Sequence, residues 1–503
     1  MSAPGWLEPL PAAALMRATD EWAIGTKGIP SLELMERAGE GLARVVAERI
    51  LAGRIAVVCG KGNNAGDGYV AARLLRQAGR AVDVLALWPA DALSGDARAM
   101  LTRLPGDPPV AYDAARLAAA DGLVDALLGT GSTGAPKDPV AGAIEDMNGA
   151  AGAVIAADVP SGVDASSGEV GGAAVRAVAT ATFHRAKPGL WIAPGKAHAG
   201  AVSVIDIGIP DGAPGEADAG LISAGVLDDM PRRGAESTKF SSGNVVVVGG
   251  SRGLTGAPCM SALAAIRAGA GYVTVAAPAS LELAFATRLL EAMFAALPEE
   301  GEALAPDGLD AALAAVARAG AVVLGPGIGR SPGVQELARA LAQRIEAPLV
   351  IDADGLNALA GRLEELRRRA APAVLTPHAG ELGRLLEVES AEVGRARLRH
   401  ARAAAERSQA VVVLKGDDTI VAAPSGRVAI SRGGAPALAT AGTGDVLAGV
   451  TGAMLAKGLE PWHAACTAVY AHVRAGRLAA APHGPDGVIA SDVIAALPAA
   501  LAA

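Results

Sequence analysis

Short apolar runs rich in Val, Ile and Ala alternate with longer alanine-rich runs along the whole of this 503-residue chain. In the first half the short runs include RIAVVCG, AVDVLAL, GLVDALLG, AVIAADVP and VSVIDIGIP; the second half has NVVVVGG, GYVTVAAP, AVVLGPG, PLVIDAD, AVLTPH and AVVVLKG. A brief, continuous β-branched run followed by a helical pattern predicts a strand buried on both faces of a parallel sheet. Both halves are therefore expected to be α/β, each a three-layer αβα sandwich. The alternation fails over residues 211–243, DGAPGEADAGLISAGVLDDMPRRGAESTKFSSG, where Pro, Gly and mixed charge take over. The domain boundary is placed there, giving domains 1–225 and 226–503, since the chain is too long for one core. No fixed-period repeat is present, and the glycine motifs of the two halves differ.

Composition narrows the function. Aromatic residues are only 3%, so aliphatic packing must fill the cores, and the net charge of −8 argues against a basic nucleic-acid or membrane-surface binder. Cys59, Cys259 and Cys466 are far apart and form no CxxC pair, which fits a reducing cytoplasm and no disulfide framework. The histidines make no HExxH spacing, so no transition-metal site is indicated. The start, MSAPGWLEPLPAAALMRATDEW, lacks the basic and sustained apolar regions of a targeting peptide, and no apolar run is long enough to cross a bilayer. A cytoplasmic enzyme acting on small molecules is expected, with no nucleic-acid or membrane partner, as a homo-oligomer.

The stretch VVCGKGNNAGDGYVAARLL places a glycine- and asparagine-rich turn between a strand and a helix. Ligands of open parallel sheets bind beyond the carboxyl ends of the strands. The turn is no Walker loop, because no GK[ST] follows, and it is out of register for GxGxxG. Asn63, Asn64 and Asp67 offer oxygens suited to a hard cation or to sugar and phosphate hydroxyls. The plainer reading is a βα turn with Asp67 as helix N-cap. Two further strand ends weigh against turns alone: VDALLGTGSTGAP with Asp125, and AADVPSGVDASSGEV with Asp158 and Ser161. Were these strands neighbours, Asn64, Asp125 and Ser161 would meet around one cation, with Asp158 a candidate general acid or base.

The motifs GKGNNAGDGYVAARLL, DALLGTGSTG, DVPSGVDASSG and SLELMERAG resemble the N-terminal domain of NAD(P)H-hydrate epimerases, a Rossmann-like fold. The resemblance implies that Asn63, Asn64, Ala65, Gly66 and Asp67, with Gly129, Thr130, Gly131, Ser132, Thr133, Gly134 and Ala135, contact the hydrated nucleotide. It implies a potassium ion held by Asn64, Asp125 and Ser161, and substrate contact at Asp158. Where that family has two glycines after the asparagines, this chain has Ala65 first. A positive φ there would cost alanine about 1 kcal/mol.

In the second half, ALATAGTGDVLAGVTGAML sets Gly442, Thr443 and Gly444 before a helix whose first N–H groups suit phosphate oxygens. Asp445 in the first turn is placed to take a proton from a hydroxyl attacking phosphorus, or simply to stabilise the helix start. Other strand ends carry Thr255, Gly256 and Ala257; Gly325, Pro326 and Gly327; His378 and Glu381; and Asp352, Asp354 and Asn357, which serve catalysis or cap a helix. Lys415, Gly416, Asp417, Asp418 and Thr419 read as an adenosine-phosphate clamp. From about Lys239 onward the chain resembles the ribokinase-like fold, and more narrowly ADP-dependent NAD(P)H-hydrate dehydratases. That resemblance implies hydrate contacts at Ala257, Gly327, His378 and Asp445, and nucleotide contacts at residues 415–419 and Gly444. It implies ADP as cosubstrate, with magnesium expected beside it. Ala435 departs from the asparagine often found there.

The halves fit one chemistry. Hydrated NADH or NADPH carries a hydroxyl at ring carbon 6, a poor leaving group that phosphorylation makes a good one. Hydration also creates R and S epimers, and the resemblance implies that dehydration uses only S, so an epimerase on the same chain makes the whole pool repairable. The alternatives are an ATP-dependent vitamin or sugar kinase, and a first half that binds nucleotide without catalysis.

Overall fold

The computed structural model describes residues 4–502, which divide into two compact units: Pro9–Gly220, and the chain from Leu221 onward together with Pro4–Glu8. Among the described residues no helix is long and apolar enough to cross a membrane.

The first unit is built on a seven-stranded parallel sheet. Its order is Val110–Ala111, Val82–Ala86, Ile55–Cys59, Gly122–Ala126, Ala153–Ala157, Ala179–Phe183 and Ala201–Ile205. The runs are apolar throughout because both faces are covered. Val57 and Cys59 enter a core with the helices Ser31–Arg49 and Asn63–Gln77, while Ala56 and Val58 enter the opposite core with Val140–Gly149. That alternation makes three layers. The strand Ala179–Phe183 was not among the runs read from the sequence; its composition, ATATF, is alanine and threonine in all but one position.

The sheet grows from Ile55–Cys59 first to one side, then to the other starting at Gly122–Ala126. The loops leaving these two strands diverge, which opens a crevice at their carboxyl ends. Asn63 follows one strand and residues 127–132 the other, so the topology itself brings the two motifs together.

The second unit has an eleven-stranded sheet in the order Leu7–Pro9, Ala219–Ile222, Val428–Ile430, Ile420–Ala422, Val411–Leu414, Ala373–Leu375, Leu349–Ile351, Ala321–Leu324, Asn244–Val248, Tyr272–Pro278 and Met293–Leu297. From Val411–Leu414 to Met293–Leu297 all pairs are parallel. Ile420–Ala422 and Val428–Ile430 then turn antiparallel, so the sheet is mixed. Helices cover both faces, with Gly256–Arg267, Thr443–Ala456, Pro461–His483 and Ala490–Leu501 around the largest core. Pro4–Glu8 join this unit because Trp6, 7% exposed, packs on Trp462 with ring centroids 5.3 Å apart.

Candidate active sites

In the first unit the helix begins at Asn63 itself, with Gly62 at the N-cap and no side-chain cap. Asp67 is therefore inside the helix and does not cap it. The Asn64 amide donates to the carbonyls of Leu128 (2.8 Å) and Ala157 (3.2 Å), tying together the ends of two adjacent strands. Asp125 accepts from Ser161 N at 2.8 Å and Ser161 Oγ at 2.6 Å, and Leu128 N donates to Ser161 Oγ at 2.9 Å. Asn64 and Ser161 thus both hold Leu128, and Asp125 joins them through Ser161. Asp125 is fully buried, and among the described residues no basic side chain pairs with it; burial pushes its carboxyl up to about 6 against hydrogen bonds from Ser161 and Leu127.

Beside this cluster lies a cavity of about 660 Å³, lined among others by Asp20, Asn63, Asn64, Asp67, Thr130 and Asp158. That volume suits a small-molecule ligand. Asp158 holds a left-handed φ of 64° and receives Lys187 Nζ at 2.5 Å. The same ammonium donates to Thr182 Oγ1 and Phe183 O, each at 2.9 Å, and Thr130 N reaches the other carboxylate oxygen at 3.2 Å. Burial pushes the Asp158 carboxyl up, but the Lys187 charge and the hydrogen bonds outweigh it and hold it below the usual range. Its neighbours go the other way. Burial, then the charges of Asp158 and Asp20, drive Asp67 well above the carboxylate range, and burial pushes Asp20 up to about 6 although Lys187 opposes this.

In the second unit, Gly442 (φ 90°) caps the helix Thr443–Ala456. A Cβ placed on Gly444 would fall 3.3 Å from Lys415 Nζ, so the glycine backbone and the ammonium face each other closely. Lys415 also meets Asp352 Oδ1 at 3.1 Å and Glu381 Oε2 at 3.7 Å. Asp352 follows the strand Leu349–Ile351 and accepts from Thr376 Oγ1 at 2.8 Å, while Glu381 lies beyond the next strand, Ala373–Leu375. Burial and the charge of Asp352 lead in pushing Asp445 up to about 7, with Lys415 opposing. His378 is the N-cap of Ala379–Leu386: its Nδ1 accepts from Gly380 N at 3.0 Å, and Glu381 Oε2 accepts from His378 N at 2.9 Å.

A cavity of about 430 Å³ is lined by His378, Lys415, Gly416, Asp417, Thr419 and Gly444, with an apolar wall behind. Asp418 does not line it; its carboxylate accepts from the buried Arg397 at 2.9 Å. Asp445 is also outside this lining, and its electrostatic neighbours are Asp352, Lys415, Glu381 and Asp354. Ala257 and Gly327 lie outside that cavity, beyond the ends of the neighbouring strands Asn244–Val248 and Ala321–Leu324. Gly327 (φ 65°) approaches Leu254 there, where an added Cβ would lie 2.4 Å from the Leu254 carbonyl oxygen.

Residues 245–499 match a family model described as NAD(P)H-hydrate dehydratase, and residues 31–189 match one described as YjeF-related protein N-terminus. The bifunctional NAD(P)H-hydrate repair enzyme Nnr of Salinibacter ruber is 40% identical over 97% of this chain and 95% of its own. The protein of the same name from Moorella thermoacetica is 39% identical, over 97% and 96%. The chain belongs to the bifunctional NAD(P)H-hydrate repair enzymes. A solved ADP/ATP-dependent NAD(P)H-hydrate dehydratase from Bacillus subtilis, co-crystallized with ATP/Mg2+, is 31% identical, covering 55% of this chain and 94% of that one at a TM-score of 0.49.

In this repair enzyme each matched segment falls inside one unit. Asn63, Asn64, Asp67, Gly129, Thr130, Gly131, Ser132 and Asp158 line the first cavity. Ala65 and Gly66 do not; they pack in the first helical turn, where a Cβ on Gly66 would strike Met35 Sδ at 2.4 Å. Ala65 has no positive φ, so alanine is unstrained there. Thr133, Gly134 and Ala135 lie further along the loop, outside the cavity lining. Lys187 and Asp20 escaped the sequence reading. Lys187 stands within FHRAKPGLW, a cation in an apolar stretch just past a strand. Asp20 shares a helical stripe with buried Met16 and Ala23, a carboxylate where an apolar side chain belongs.

Proposed function

We propose that the first unit interconverts the R and S forms of hydrated NADH and NADPH, and that the second dehydrates the S form with ADP, giving NAD(P)H, AMP and phosphate. The observation that carries this reading is the meeting of Lys415 with Gly444 at the start of the helix that bears Asp445. Helix N–H groups and an ammonium suit the phosphates, and a carboxyl near 7 suits a base that takes the proton of the ring hydroxyl as its oxygen attacks the terminal phosphorus of ADP. The phosphorus–oxygen bond to AMP breaks. The ring nitrogen lone pair then expels phosphate, and loss of the neighbouring ring proton restores the dihydropyridine. The acids nearby are committed: Asp352 and Glu381 to Lys415, Asp354 to Arg330 Nε at 2.7 Å and Gly329 N at 3.1 Å. They make no cage for magnesium, so no step is assigned to it; it belongs with the nucleotide phosphates.

Epimer exchange needs a proton given to the leaving hydroxyl and another taken from the water that adds on the opposite ring face. In the first cavity two carboxyls are pushed apart, Asp67 well above the carboxylate range and Asp158 below it beside Lys187, which suits an acid and a base. Potassium suits Asn64, Asp125 and Ser161, an all-oxygen set whose one carboxylate is buried without a basic partner. A cation there would supply the missing positive charge next to the substrate loop. The test is a mixture of hydrated NADH epimers incubated with ADP and separated by chromatography. Both epimers should disappear as AMP and phosphate accumulate in equal amounts. A stable phosphorylated product, or turnover far better with ATP than ADP, would reject the assignment.

A further inference from the structure

Among the described residues three basic side chains line the first cavity. Lys187 is committed to Asp158, Thr182 and Phe183. Arg17 stands three residues from Asp20 on the helix Ala13–Gly25 and so shares its face. The third is Lys61. It is exposed, and its Nζ lies 5.6 Å from the centre of the Trp88 ring, which lines the same cavity. Among the described residues no carboxylate pairs with Lys61. A ring face holds an ammonium while leaving N–H donors free for another acceptor. Trp88 is itself fixed, since it packs against the core that holds Leu85, Leu117 and Leu123.

Sheet order sets the spacing. Lys61 follows Ile55–Cys59, Trp88 follows the neighbouring Val82–Ala86, and Asp158 follows Ala153–Ala157. Trp88 and Asp158 therefore leave strands three places apart, about 14 Å at the usual strand spacing. Between them begin the helix Asn63–Gln77 and the loop 129–132, whose backbone suits the pyrophosphate common to both substrates. A dinucleotide with its hydrated ring beside Asp158 thus puts its adenosine end at Trp88.

We propose that Lys61, set against the Trp88 ring, takes the 2′-phosphate of hydrated NADPH, and that the first unit therefore prefers this hydrate over that of NADH. The inference rests on the reading of this cavity as the epimerisation site. Asp96 also lines the cavity and pulls the other way, because a carboxylate suits the free 2′-hydroxyl of NADH. Lys61 is favoured by its anchor: Trp88 stands at the strand end next to the glycine turn, where doubly wound sheets read the ribose, whereas Asp96 lies further on, in the helix Gly95–Thr102.

The experiment follows epimer exchange of purified R-hydrates of NADH and NADPH by the full-length protein, without ADP so that dehydration is silent, and separates the S-hydrate by chromatography. kcat/KM for hydrated NADPH should exceed that for hydrated NADH by roughly 10-fold, about 1.4 kcal/mol, near the low end for a hydrogen bond to a charged group because Lys61 is exposed. Lys61→Met keeps the stem on the ring and should bring the ratio toward one by losing on hydrated NADPH alone, whereas Lys61→Arg should keep the preference. Added salt should shrink the ratio in the wild type and leave it unchanged in Lys61→Met. Equal use of the two hydrates by the wild type overturns the proposal. So does a Lys61→Met that slows both equally, which would assign Lys61 to the pyrophosphate, and so does a preference for hydrated NADH, which would give the position to Asp96. Wild type that exchanges neither hydrate overturns the epimerase reading itself, an outcome separate from a missing preference.

Discussion

Replacing Lys187 by Met removes the one cation that, among the described residues, pairs with Asp158, while keeping an unbranched stem of similar length. The Lys187 side chain is 1% exposed and that of Asp158 13%, so the pair is nearly dry. Breaking a buried pair from one side costs about 3–5 kcal/mol, because the remaining charge is stranded. With a urea m value of about 2 kcal/mol/M, that is a midpoint shift of roughly 2 M. The loss should depend on pH in a defined direction. In the wild type Asp158 sits below the usual carboxylate range, so its contribution is fully present above the unfolded value of about 3.9 and fades only in stronger acid. Without Lys187 burial dominates and the folded pKa rises above the unfolded one. Each unit of pH between those two values then removes about 1.4 kcal/mol of stability. Lys187→Met should therefore be more destabilised at pH 8 than at pH 5, and the double variant Lys187→Met/Asp158→Asn should recover most of the loss. Urea unfolding followed by circular dichroism at both pH values decides it. Equal destabilisation at the two pH values, with no recovery in the double variant, would mean that Lys187 acts through the packing of its stem and that the charge argument is wrong.

Three further outcomes are expected. Asp445→Asn removes a proton acceptor of nearly unchanged size; dehydration should drop by roughly 10²–10⁴-fold while epimer exchange continues, and Asp158→Asn should do the reverse, with both assays run on both variants. With Asp445 at about 7 and acting as a base, dehydration should be complete above that value and fall as pH drops through it, as read from phosphate release between pH 5.5 and 8.5. Epimer exchange should slow when potassium is replaced by tetramethylammonium, and Asp125→Asn should abolish the difference between the two cations, since it removes the buried carboxylate that the small cation neutralises.

Much of this protein is written locally. Runs such as IAVVC and VVVL could only be strands covered on both faces, and the glycine loop ahead of Thr443 announces a helix start fit for phosphate, because both features depend on neighbours in the chain. Local sequence also placed Asn64, Asp125 and Ser161 at strand ends. That they meet was decided by strand order: Gly122–Ala126 lies between Ile55–Cys59 and Ala153–Ala157, so the residues following these strands share one edge. The charge states belong wholly to the tertiary structure. Asp158 and Asp67 are alike in sequence, yet one meets Lys187, 29 residues away, and is held below the usual carboxylate range, while burial drives the other well above it. The hairpin Ile420–Ala422 and Val428–Ile430, and the docking of Trp6 on Trp462, were equally hidden. A short apolar run names its secondary structure but not its partner, and lost hydration and partner charges, which together set the pKa shifts here, arise only when distant segments close over a side chain.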